Sequence, residues 1–192
     1  MVDVDEASWD EDGQALGWVP VDGRGSLPFA LVHGESLVAA ASWAVGEAGV
    51  RLIDASSTFE QVRSAGLPLL LHDPLCPLAP VDFLVQAVQT CLSTGKVVVG
   101  SREVTDTVKT RDGDLLGATV DRARLRAVAS PVVIPAAVLA GLDAVDSTDL
   151  AALVGRLSRV AEIHWLVAPA IARRITGKDD LVVLEALSRS LS

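Results

Sequence analysis

The sequence is poor in most of the residues that give a function away. Of 192 residues only two are cysteine and three are histidine. Cys76 and Cys91 form no CxxC pair and no framework spacing, which reads as two reduced thiols in a cytoplasmic protein rather than a disulfide scaffold. His33, His72 and His164 are too scattered for a zinc site. Aromatic residues make up 4% of the chain. The net charge of −9 works against a non-specific nucleic-acid surface, because holding many phosphates takes concentrated positive charge. Local phosphate binding through arginine, lysine and backbone N–H groups stays open. The longest apolar run, residues 131–142, is interrupted by Pro135 and is too short to cross a bilayer. The first residues are acidic rather than basic and apolar, which does not fit a secretory leader.

Half of the chain is hydrophobic, mostly Ala, Val and Leu, as expected of Ala/Leu helices laid over Val-rich strands. Residues 1–14 carry Asp3, Asp5, Glu6, Asp10, Glu11 and Asp12 with little to bury, and read as a disordered acidic tail. Residues 15–192 read as one α/β domain. Strands are expected at 18–21, 50–53, 67–71, 96–99 and 163–168. Leu67-Pro68-Leu69-Leu70-Leu71 is continuously apolar, the pattern of a strand covered on both faces. Helices are expected at 35–48, 58–65, 81–93, 135–144, 149–160 and 178–191, with Ser57 or Thr58 capping the second and Ser147 or Thr148 the fifth. This alternation implies a three-layer, doubly wound, mostly parallel sheet with ligands beyond the carboxyl ends of its strands.

Residues 104–128 break the alternation. Residues 104–109 alternate β-branched and polar side chains, Asp112-Gly113-Asp114 supplies a hairpin turn, and residues 116–120 return. A hairpin this polar has no core of its own, so it reads as a protruding arm that lies on another surface. Two strand-end features carry chemistry. Asp22-Gly23-Arg24-Gly25-Ser26, between a strand and a helix, is either an anion-binding nest or an ordinary turn. His72-Asp73 ends the apolar strand, where Asp73 is either a site carboxylate or a turn-capping one.

Thr-Asp-Thr-Val-Lys at 105–109, followed by a turn and Thr-Val-Asp-Arg at 119–122, resembles the arm of the 2-C-methyl-D-erythritol 4-phosphate cytidylyltransferases. The resemblance extends to three other places. Val19 to Gly25 is similar to that family's opening strand and nucleotide loop, His72-Asp73-Pro74-Leu75-Cys76-Pro77 to its H-D-A-A-R-P corner, and Arg173-Arg174-Ile175-Thr176 to its N-x-K-x-T segment. The resemblance implies a nucleotidyltransferase fold and a homodimer made through the arm. It assigns Gly23, Gly25 and Asp73 to nucleotide, and Thr107, Arg122 and Arg174 to sugar phosphate. Arg24 and Arg174 become the catalytic cations, Asp73 a metal-facing carboxylate, CTP and a sugar phosphate the ligands, and Mg²⁺ the cofactor if the chain is active.

The departures fall on the nucleotide half. The loop is short, Phe29 stands where the family has a phosphate-gripping lysine, Cys76 replaces an arginine, and residues 51–66 hold no G-G-x-x-R-x-x-S base-recognition segment. Phe29 reads as a core residue and Cys76 as a buried thiol. The leading reading is therefore an impaired or non-catalytic homologue with a regulatory or scaffolding role. One alternative is an active cytidylyltransferase that joins CTP and 2-C-methyl-D-erythritol 4-phosphate with release of pyrophosphate. The other is a subunit that donates its arm to a genuine cytidylyltransferase.

Overall fold

A computed structural model describes residues 13–54 and 56–189; the acidic tail expected at 1–14 lies almost wholly outside them. β1 (Leu16–Trp18) is followed by a small hairpin, β2 (Leu31–Val32) with β3 (Glu35–Ser36), and by helix α1 (Leu37–Glu47). Next come β4 (Arg51–Leu52), α2 (Phe59–Ser64), β5 (Leu69–Leu71), α3 (Val81–Thr94) and β6 (Val97–Glu103). The arm is β7 (Val108–Asp112) with β8 (Leu115–Val120), and β9 (Arg126–Ile134) re-enters the body. The chain finishes with α4 (Ala136–Leu139), α5 (Leu150–Leu157), β10 (Ile163–Val167) and α6 (Lys178–Arg189).

The main sheet runs β10-β6-β9-β5-β1-β4. All neighbours are parallel except β9, which is antiparallel to both β5 and β6. Side-chain alternation along the strands sorts the core into two faces. Leu70, Val98 and Val133 meet Ala44 and Val45 of α1 and Leu84, Ala87 and Cys91 of α3. Leu69, Leu71, Val97, Val99 and Val132 meet Val62 of α2, Leu139 of α4 and Leu153 and Leu157 of α5. The result is the expected three-layer, mostly parallel α/β sandwich with its arm outside.

Several boundaries differ from the sequence reading for local reasons. The helix expected at 35–48 starts at Leu37 because Glu35 and Ser36 pair with Leu31 and Val32, and Ser36 then caps it by accepting the Ala39 N–H. Thr58 caps α2 with Gln61 in a reciprocal capping box. Asp149, not Ser147 or Thr148, caps α5 by accepting the Ala152 N–H. The segment after Pro135 yields only four helical residues. β2, β3 and β9 are strands that the sequence reading did not find; β9 escaped it because Pro131 sits inside it and a proline argues against a central strand. The arm's first strand begins at Val108 rather than 104, and Gly113, at φ 58°, makes its turn.

The proline is accommodated by a break in register. Val99 pairs with Val132 and Gly100 with Ala129, so Ser130 and Pro131 have no partners on β6. This bulge brings the β9 backbone onto Gly100, where a Cβ would lie 2.7 Å from the Ser130 carbonyl oxygen. Gly100→Ala should therefore lower the unfolding free energy by about 1–3 kcal/mol, measured by urea denaturation, since two central strands would have to separate to admit one methyl group. An unchanged midpoint would mean that the bulge is soft.

Candidate functional site

The carboxyl ends of β1 and β5 lie side by side, with the His72 N–H donating to the Trp18 carbonyl at 2.9 Å. Just beyond them, Asp73 is buried with both oxygens engaged. Arg24 Nε donates to one at 2.8 Å and Arg174 Nε to the other at 2.7 Å. The Leu75 N–H adds a third bond at 3.1 Å. Arg24 is spoken for at its other nitrogens too: Nη1 donates to the Asp22 carbonyl at 2.7 Å and Nη2 to the Ser147 carbonyl at 2.9 Å. It thus joins the glycine-rich loop, the end of β5 and the loop before α5. Side-chain exposure is 2% for Arg24 and 4% for Asp73, against 50% for Arg174.

Burial opposes the charge on Asp73, but the Arg174 hydrogen bond and the Arg24 guanidinium outweigh it and hold the carboxyl below its ordinary range. Neighbouring His72 is fully buried, and desolvation pushes its pKa down to about 4, so the ring is neutral at pH 7. Ser130, delivered by the β9 bulge, ties the two residues together. Its hydroxyl oxygen accepts the Asp73 N–H at 2.9 Å and lies 2.6 Å from His72 Nδ1. Cys76 is buried as expected. Burial and the charge of Asp73 raise its thiol to about 12, which makes it a poor nucleophile.

Of the residues singled out in the sequence, Arg24, Asp73 and Arg174 meet in one cluster beside a hollow of about 350 Å³ also lined by Ser130, Thr148 and Asp149. Gly23 and Gly25 hold the loop around Arg24 with φ 76° and 59°, and Gly23 packs on Thr148. Thr107 and Arg122 are exposed at the arm, away from Asp73 within this chain; an Arg122 Nη1 donates to the Thr105 carbonyl at the arm's base. Phe29 corrects the sequence reading. It is 58% exposed, because the 3-10 turn Leu27–Phe29 points Pro28 inward and leaves the next side chain outside. Two participants were missed. Ser147 acts through a backbone carbonyl, which no side-chain pattern reveals. Ser130 had one signal, a Ser-Pro step inside an apolar run.

No family model matches the chain. It is similar to the 2-C-methyl-D-erythritol 4-phosphate cytidylyltransferase of Rhodococcus jostii, with 35% identity over 126 residues. That match takes in 62% of this chain and 54% of the relative, so the chain spans about half the length of this curated relative. Among solved structures, the 2-C-methyl-D-erythritol 4-phosphate cytidylyltransferase from Thermus thermophilus has a TM-score of 0.63 at 22% identity, covering 93% of this chain and 99% of that one. The 4-diphosphocytidyl-2C-methyl-D-erythritol synthase from Anaerococcus prevotii has a TM-score of 0.64 at 17% identity, covering 91% and 94%. In sequence and in fold the likeness is thus to cytidylyltransferases.

The two buried groups predict acid sensitivity with a definite sign. His72 holds its proton less tightly folded than unfolded, so its contribution is whole above pH 6.5 and is lost as pH falls toward 4. The Asp73 contribution is present above the ordinary aspartate pKa and is lost at lower pH still. Unfolding free energy should therefore fall by on the order of 3 kcal/mol between pH 6.5 and 4. His72→Gln should flatten that window while keeping the loss below it, and a wild-type profile flat between pH 6.5 and 4 would contradict the assignment.

Proposed function

We propose that this chain is a cytidylyltransferase-like protein whose nucleotide transfer is impaired or absent, and that it retains the fold for a regulatory or scaffolding role in a cytoplasmic setting. One observation carries the reading. Asp73, the carboxylate that the resemblance directs toward metal and sugar, has both oxygens on guanidiniums. Mg²⁺ is held by hard oxygens, usually one or two carboxylates plus substrate phosphates. Here the buried carboxylate at the end of β5 is already neutralised by two guanidiniums. These residues do not suit a resident Mg²⁺.

The cations point the same way. Arg24, the only cation of the glycine-rich loop, is consumed by Asp73 and two carbonyls. Phe29 lies on the surface where the resemblance asks for a lysine. Losing one donor to a developing charge typically costs about a hundred- to a thousandfold in rate. The reading in which the chain is an active enzyme on CTP and 2-C-methyl-D-erythritol 4-phosphate would need Arg174, the half-exposed cation, to leave Asp73 and serve the phosphates.

A second feature favours a partner. Leu115 and Leu116 at the arm tip are 75% and 76% exposed, and almost every arm residue faces solvent. A two-stranded ribbon is marginal in water and is stabilised by lying on another surface. A second copy of this chain is the simplest partner, and a genuine cytidylyltransferase accepting the arm, with Thr107 and Arg122 completing its site, is the other. Pyrophosphate release from CTP, 2-C-methyl-D-erythritol 4-phosphate and Mg²⁺ should stay at background for this chain alone. Micromolar CTP binding with release would overturn the impaired reading. Adding an active cytidylyltransferase separates the partners: a mixed species with an altered rate supports arm donation, whereas homodimers with unchanged rate support self-association.

A further inference from the structure

A hollow of about 380 Å³ lies at the amino ends of β1, β4 and β5, away from Asp73, which follows the carboxyl end of β5. Leu16 and Val62 of the core form its floor, and Ile53, Ala65 and Leu67 continue its apolar wall. Two polar side chains at its rim are turned to local work. Gln61 closes the capping box with Thr58, and the Ser64 hydroxyl donates to the Gln61 carbonyl at 3.1 Å. Among the described residues that line the hollow, Arg51 is the only charged one. What faces a guest is apolar surface with one positive charge beside it.

The chain brings a guest of that chemistry to the spot. Gly13, the first described residue, is itself part of the wall. A Cβ on Gly13 would lie 3.0 Å from that of Arg51, so the backbone enters β1 pressed against that arginine. Residues 1–12 hold six acidic side chains, no lysine or arginine, and one aromatic, Trp9. Trp9 stands four positions before Gly13, a stretch that spans at most about 14 Å. An indole removes about 150–250 Å² from water when it is buried, with its N–H kept at the wet side. Asp10, Glu11 and Asp12, between Trp9 and Gly13, carry the charge that complements Arg51. We propose that this hollow is the docking site of the chain's own acidic segment. The Trp9 ring sits on Leu16, Val62 and Leu67, and the carboxylates of residues 10–12 lie beside Arg51.

Docking there has a consequence at the other end of the sheet. Ile53, Ser57 and Val62 also wall a smaller hollow, of about 250 Å³, that reaches Trp18 and Asp22 beyond the carboxyl end of β1. A seated segment pins α2 and β4 from one side and so fixes the wall that the two hollows share. The inference stands whether or not the chain transfers a nucleotide.

The test is NMR of the full chain labelled at its leucine and valine methyl groups. The ring current of a seated indole displaces the methyl signals of Leu16, Val62 and Leu67, and Trp9→Ala should abolish that displacement while leaving the methyls of β6 and β9 in place. Ala65→Glu, at an exposed position on the wall, crowds the hollow, so Trp9→Ala added to it should move nothing further. Val182→Glu, on the exposed face of α6, should keep the full effect of Trp9→Ala. The proposal is wrong if Trp9→Ala leaves the three methyl signals where they were, or if the effect persists in Ala65→Glu. It is also wrong if the displacement grows with protein concentration, which would make a second copy the source of the guest.

Discussion

A carboxylate taken out of water at the end of a central strand stays ionised only if cations come with it, and the upper face of this protein is arranged around that requirement at Asp73. Arg24 is folded back beneath its own loop to reach one oxygen, and Arg174 is carried from about a hundred residues away to reach the other. Removing a single partner from a buried pair of this kind costs about 3–5 kcal/mol, because the charge left behind has nowhere to go. Asp73 therefore ties the glycine-rich loop and the segment before α6 to the end of β5, and Arg24 extends the tie to the loop before α5. Ser130 secures the same point from below by accepting the Asp73 N–H, and it is there because the β9 bulge displaces it from the ladder.

The same arrangement bears on function. A carboxylate with both oxygens on guanidiniums has little to give to a metal or a sugar, and an arginine committed to three acceptors has little to give to a triphosphate. Structural satisfaction and ligand binding compete for the same atoms. In this chain they are resolved toward structure at Arg24 and left adjustable at Arg174, which keeps half of its surface in solvent.

Much of this was legible in the sequence, for reasons that can be named. The continuous apolar run ending at Leu71 read as a strand covered on both faces, and Leu69, Leu70 and Leu71 are fully buried. Asp112-Gly113-Asp114 marked the arm's turn because only a residue tolerant of positive φ suits it. What escaped depended on tertiary register. β9 was hidden by a proline that a two-residue bulge absorbs. Phe29 was placed in the core because it is hydrophobic, but the phase of a three-residue 3-10 turn decides which of Pro28 and Phe29 points inward. The candidate residues were brought together as named at Arg24, Asp73 and Arg174. Their partnership, in which each cancels the other's availability, is a matter of distances that no spacing encodes.

The central claim, that Asp73 is neutralised from within the chain, can be read at the carboxylate itself. Carbon-13 NMR titration of the Asp73 side-chain carbon in the ligand-free protein should give a midpoint below the ordinary aspartate value of about 3.9. Arg174→Ala should move it upward. A wild-type midpoint at or above the ordinary value would mean that the two guanidiniums do not hold the carboxylate, and that its oxygens are available to a ligand after all.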